Sequence, residues 1–151
     1  MKTLKRILLV EDSLKDIDLT LAALEEHNLA NEVIVARDGI EALDFLHRRE
    51  KFANRDDNLP AVIFLDIKMP KIDGLEVLRQ MKSHPRFKNI PVVMLTSSNE
   101  EPDLAACYAL GANAYVVKPV DFQQFIDAVK QVGAFWAVLN EPPPGSTSPF
   151  P

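Results

Sequence analysis

One cysteine, Cys107, stands alone among 151 residues. A lone cysteine excludes an intrachain disulfide framework and suits a reducing cytoplasm, where the chain is expected to work. It lies in DLAACYALGA, a helix-like stretch, and so reads as a small packing residue. No apolar run approaches the roughly 18 residues needed to cross a bilayer. The start is basic (MKTLKR), but only ILLV follows before Glu11 and Asp12. That is too short for a signal peptide, so neither export nor a membrane partner is expected. Positive charge is also scarce: 17 Lys and Arg stand against 22 Asp and Glu, for a net charge of −5. This argues against nucleic acid as the main partner, because phosphate binding wants a basic surface.

What is present is the profile of one globular domain, with 47% apolar and 26% charged residues. Five short apolar runs read as strands, at residues 7–10, 32–37, 61–66, 91–95 and 114–117. Those beginning at 7, 61 and 91 are continuously apolar, as expected of strands covered on both faces. Amphipathic stretches lie between them. Residues 13–27 carry Leu14, Ile17, Leu21 and Leu24 at helical spacing, and residues 39–49 carry Ile40, Leu43 and Leu46. Residues 75–84 carry Leu75, Leu78 and Met81, with Pro85 at their end. Helices are also expected over 100–110, with Gly111 as a C-terminal cap, and over 121–139. Five βα units in this length predict an α/β doubly wound parallel sheet with helices on both faces. The domain is expected over 1–139, with residues 140–151 (NEPPPGSTSPFP) as an extended Pro-rich tail. Residues 50–60, EKFANRDDNLP, are a polar connection longer than such units need.

Ligands in sheets of this kind bind beyond the carboxyl ends of the strands. There the chain places Glu11 and Asp12 after the first strand, Asp66 after the third, Thr96 after the fourth and Lys118 after the fifth. Any one of these could be a helix cap or a solvated charge. Their joint arrival at one edge points to a site. Three carboxylates in one pocket repel, and Lys118 balances only one of them. A hard divalent cation with oxygen ligands completes the balance, so Mg²⁺ is the expected cofactor, and no His or second Cys is placed to favour a softer metal. A carboxylate beside Mg²⁺, a lysine and a hydroxyl suits attack on phosphorus.

These residues resemble the response-regulator receiver domain of two-component signalling. The matching motifs are Glu11-Asp12, Asp66 within LDIKMPKIDG, Thr96 in MLTSS and Lys118-Pro119 in YVVKP, with Gly74 and Gly111-Ala112 also in keeping. The resemblance implies a flavodoxin-like (βα)5 fold with strand order 2-1-3-4-5, an order the receiver proteins themselves exemplify. It implies Asp66 as phosphoacceptor, with Mg²⁺ held by Glu11, Asp12, Asp66 and the backbone carbonyl of Lys68. It also implies a cis Lys118-Pro119 bond and a switch pair, Thr96 and Tyr115. Ser97, Ser98 and Lys68 flank the pocket, at positions that tune acyl-phosphate lifetime in such domains. The activity expected is that of a phosphoacceptor that catalyses only its own phosphorylation and dephosphorylation.

The long connection at 50–60 and the extended last helix resemble the stand-alone regulators that serve bacterial and cyanobacterial phytochromes. The kinase partner is then expected to be a phytochrome, with a downstream protein or phosphotransfer partner and no output domain after residue 139. In the last helix Phe122, Phe125, Ile126, Val129, Val132 and Trp136 form the core stripe. Phe135, Trp136 and Leu139 are the candidate dimer face, alongside the fourth helix and fifth strand. Two alternatives stay in view. One is a pseudo-receiver acting only as an interaction module, although each of its acids, Thr96 and Lys118 is present. The other is a haloacid-dehalogenase-like phosphatase, which needs an acid where Lys68 stands.

Overall fold

The computed structural model describes residues 5–26, 31–97 and 101–131. Five strands, β1 (Lys5–Val10), β2 (Asn31–Ala36), β3 (Val62–Asp66), β4 (Val92–Thr96) and β5 (Ala114–Val117), form one parallel sheet in the order β2-β1-β3-β4-β5. Helices α1 (Leu14–Glu26), α2 (Gly39–His47), α3 (Gly74–Lys82), α4 (Leu104–Ala109) and α5 (Phe122–Gln131) connect and follow them.

Side chains alternate across a strand, so the unbroken apolar runs must be covered on both faces. Leu8, Val10, Ile63, Leu65, Val92 and Met94 pack against α2, α3 and α4 through residues such as Leu43, Leu46, Leu78, Met81 and Cys107. On the opposite face Ile7, Leu9, Val62, Phe64, Val93 and Leu95 meet Ile17 and Leu24 of α1 and Phe125, Ile126 and Val129 of α5. The Phe64 and Phe125 rings stack 5.2 Å apart. All five residues of β3 are buried, as are all five of β4, which makes β3 a rigid mount for whatever follows it.

Several expectations shift in detail. Leu14 is 61% exposed and Ile40 is 44% exposed, so neither belongs to its helix's core stripe. Leu14 is the first residue of α1. On α2 the buried face runs through Gly39, Ala42, Leu43 and Leu46, a set that leaves Ile40 outside. The left-handed turn at Arg48 (φ 55°) ends α2, with its N–H directed at Asp44 O and Phe45 O. Of the helix expected over 100–110, α4 keeps Leu104–Ala109. Gly111 follows it at φ 105°, and bonds from Gly111 N to Tyr108 O and from Ala112 N to Cys107 O close the turn. Val132, Phe135, Trp136, Leu139 and the tail at 140–151 lie outside the described residues.

The 50–60 connection is ordered by two arginines. It opens with a 3-10 turn at Glu50–Phe52. Arg55 donates to Phe45 O at 2.7 Å and Leu46 O at 3.2 Å, and its guanidinium lies over the Phe45 ring. Arg6 of β1 reaches Asp56 at 2.8 Å and 3.1 Å and the Asn58 carbonyl at 2.6 Å. The cationic groups thus satisfy carbonyls and carboxylates that a long loop would otherwise leave to water.

Candidate functional site

At the carboxyl edge, β1 and β3 are neighbours whose helices leave on opposite faces, α1 on one and α3 on the other. This is the switch point of the sheet. Val10 pairs with Leu65, which sets the residues after Val10 beside Asp66. Oxygens of Glu11, Asp12 and Asp66 all lie within 4.8 Å of one another. Glu11 and Asp66 are 1% and 3% exposed, whereas Asp12 is more open.

The next strand brings Thr96, which is 1% exposed, and Asp66 pairs with Leu95 just before it. The last strand brings Lys118, whose N–H donates to Thr96 O at 2.8 Å and whose bond to Pro119 is cis. From there its ammonium crosses the site. Nζ lies 2.9 Å from Glu11 Oε1, 3.2 Å from Asp66 Oδ2 and 3.2 Å from Asp16 Oδ2.

Asp16 is the residue that reading strand tips alone misses. It stands in the first turn of α1, four residues after Asp12, a spacing that can bring two acids to one side of a helix start. Ser13 organises this corner: its Oγ accepts from Asp16 N at 3.2 Å and its N–H donates to Glu11 Oε2 at 3.0 Å. Gly74 is required on the other side. A Cβ there would stand 2.3 Å from Asp66 O, so only glycine lets α3 begin this close to the strand end.

The electrostatics follow from this crowding. Burial, then the hydrogen bond and charge of Glu11, push the Asp66 carboxyl up to about 7, against the pull of Lys118. Burial opposes the Lys118 ammonium, but its bonds to Glu11 and Asp66 and their charges outweigh that and hold its pKa above the ordinary lysine range. The three carboxylates therefore still lack positive charge. Their all-oxygen donor set fits a hard divalent cation, and among the described residues no His or Cys joins the group.

The other expected residues take distinct positions. Lys68 turns outward, with Nζ 2.9 Å from Asp103 Oδ2 and 3.6 Å from Glu101 Oε1, while its N–H lies 3.4 Å from Asp66 Oδ1. Neither acid was singled out from sequence, because the pairing joins residues 35 apart. Tyr115 is 39% exposed and meets Tyr108 edge-on at 6.3 Å, so its ring stands on the outer surface. The two tyrosines border an open groove of about 320 Å³ lined also by Val117, Gln124, Asp127 and Gln131. Phe135, Trp136 and Leu139, the rest of the candidate dimer face, lie outside the described residues. No described helix is long and apolar enough to cross a membrane.

Comparison with known proteins agrees with this geometry. The family model described as "Response regulator receiver domain" matches residues 7–130. Response regulator Rcp1 of Synechocystis sp. is 39% identical over 132 residues, 87% of this chain and 88% of its own length. Its structure, described as an Mn(2+)-bound form, superposes with a TM-score of 0.71 over 88% of this chain and 94% of that one. The bacteriophytochrome response regulator RtBRR is 60% identical, with a TM-score of 0.83 over 95% of this chain and 87% of its own. The bacteriophytochrome response regulator AtBRR is 57% identical, with a TM-score of 0.85 over 93% of this chain and all of its own.

Proposed function

The chain is a member of the response regulator receiver family, and from that premise we propose that it accepts a phosphoryl group on Asp66 from the phosphohistidine of a phytochrome sensor kinase. The observation that carries this reading is the buried Asp66 carboxylate, held 3.2 Å from Lys118 within a group of acids at the switch point. The phytochrome as donor is supported by the likeness to the two bacteriophytochrome response regulators.

In the transfer, an Asp66 oxygen bonds to phosphorus as the N–P bond to the kinase imidazole breaks. The imidazole nitrogen keeps the electron pair and takes a proton from solvent. Lys118 neutralises charge on the phosphoryl oxygens, and the Thr96 hydroxyl donates to one of them. Glu11, Asp12, Asp66 and the Lys68 carbonyl would hold Mg²⁺, which when bound supplies positive charge to the transferring group. Return to the resting state is hydrolysis: water bonds to phosphorus, the Asp66 O–P bond breaks and inorganic phosphate leaves. Both steps are the chain's own chemistry on itself.

The signal then runs through the surface of α4, β5 and α5, where Tyr108 and Tyr115 are exposed. Thr96 moves toward the phosphoryl group and Tyr115 turns inward behind it. A second copy of the chain, engaged through this face and Phe135, Trp136 and Leu139, or a downstream protein reads the change.

The test is incubation with Mg²⁺ and acetyl phosphate, followed by mass measurement of the intact chain, and then transfer from an autophosphorylated bacteriophytochrome kinase. Wild type is expected to gain one hydroxylamine-labile phosphoryl group and Asp66→Asn none. A wild type that stays unmodified, or a variant modified as well as wild type, would defeat the reading.

A further inference from the structure

Four of the helices, α2 to α5, start after an aspartate, but only three of those aspartates act as caps, Asp121 accepting from Gln124 N at 2.8 Å before α5. Asp38 accepts from Glu41 N at 2.8 Å and Asp73 from Glu76 N at 3.0 Å, each with the extended backbone of an N-cap. Asp103 holds the same place before α4 but keeps helical dihedrals (φ −82°, ψ −4°) and makes no side-chain cap bond. Its carboxylate is engaged elsewhere, on Lys68 Nζ at 2.9 Å. Glu101 adds to this arrangement, accepting from Asp103 N at 3.3 Å and lying 3.6 Å from the same ammonium. One lysine from the turn after Asp66 thus holds both Glu101 and Asp103 ahead of α4.

That arrangement is easily exchanged. The Lys68 side chain is 66% exposed and Asp103 34%, and exposed ion pairs contribute little to stability. The Lys68 N–H is 3.4 Å from Asp66 Oδ1, so its flexible four-carbon stem is rooted beside the proposed phosphoacceptor. A phosphoryl group brings a charge of about −1.5 to −2 and three strong acceptor oxygens to that root. That greater charge attracts an ammonium more strongly than a single carboxylate does at the same distance.

We propose that Lys68 is a partner-exchanging cation, paired with Asp103 and Glu101 when Asp66 is bare and with the phosphoryl oxygens when Asp66 is loaded. Asp103, released, takes up the extended cap conformation and accepts from the first free N–H groups of α4. Loading of Asp66 is thereby read out as tightening of α4, which carries Tyr108 of the signalling face. This deepens the reading of Asp66 as phosphoacceptor and rests on it.

The experiment is hydrogen exchange across residues 104–109 of the full chain, with and without beryllofluoride and Mg²⁺, binding of the probe being followed separately by fluorine resonance. In the unloaded protein, Asp103→Asn keeps a capping oxygen but loses the charge that holds it to Lys68, and Lys68→Ala frees Asp103. Both are expected to slow exchange in α4 by roughly fivefold relative to wild type, whereas Asp103→Ala does not. On loading, wild type reaches the same slow exchange and Asp103→Ala fails to. The proposal is overturned if Lys68→Ala and Asp103→Asn exchange like unloaded wild type, or if Asp103→Ala slows on loading as wild type does. Probe bound with α4 unchanged overturns this inference alone. No bound probe in wild type overturns the phosphoacceptor reading with it.

Discussion

Replacing Asp66 with the neutral amide of nearly the same shape should make the metal-free protein more stable at alkaline pH. The folded site pushes the Asp66 carboxyl from 3.8 to about 7, chiefly through burial and then through Glu11. A raised folded pKa means that the folded state binds the proton more tightly than the unfolded chain. Stability is then full below pH 3.8, falls as pH rises toward 7, and is flat above. At 1.36 kcal/mol per pKa unit the loss is about 4 kcal/mol at most, with little relief from water because Asp66 is only 3% exposed. Asp66→Asn does not carry this cost, and its amide oxygen can still accept from Lys118. Urea unfolding in the presence of a chelator, at about pH 8 and about pH 5, measures it. The variant should exceed wild type by up to about 4 kcal/mol at the higher pH and by less than half of that at the lower. Added Mg²⁺ should raise wild type more than the variant, since the folded carboxylates bind the ion. A variant no more stable than wild type at about pH 8, or a gain that ignores pH, would refute the claim that burial and Glu11 destabilise the ionised Asp66 carboxylate.

Lys118→Met removes the one ammonium shared by Glu11, Asp16 and Asp66, and should cost roughly 3–5 kcal/mol in metal-free urea unfolding at alkaline pH. Gly74→Ala drives a Cβ to within 2.3 Å of Asp66 O, so the start of α3 must shift. A loss of about 1–3 kcal/mol and slower loading by acetyl phosphate are expected, and an unchanged midpoint would count against the tight approach. Arg55→Ala frees the carbonyls of Phe45 and Leu46 and should make residues 50–58 cut earlier by trypsin or chymotrypsin. Cys107 is fully buried, and burial, then the charges of Asp103, Glu101 and Asp73, push its thiol up to about 11. Ellman's reagent at about pH 8 should therefore react only after unfolding.

The five strands and the chemistry at their carboxyl ends were legible in the chain itself, because burial on both faces writes an unbroken apolar run and the switch-point rule says where such runs deliver their polar residues. Asp66 after VIFL, Thr96 after VVML and Lys118 after AYVV needed nothing else. What the sequence left open depends on which residues meet across the sheet. Asp16 reaches Lys118 only because β1 and β5 flank the pair β3 and β4, and Arg6 holds Asp56 only because the 50–60 segment folds back over β1. Leu14 and Ile40 carry the right spacing for a core stripe, but both lie off the faces that their helices bury. Asp103 has the residue type of a cap, and only the position of Lys68, 35 residues away, turns its carboxylate from the helix. Local pattern determined the strands, the helices and the identity of the acids. Tertiary register decided which charges pair, because Coulomb and hydrogen-bond terms act over a few ångströms and not along the chain.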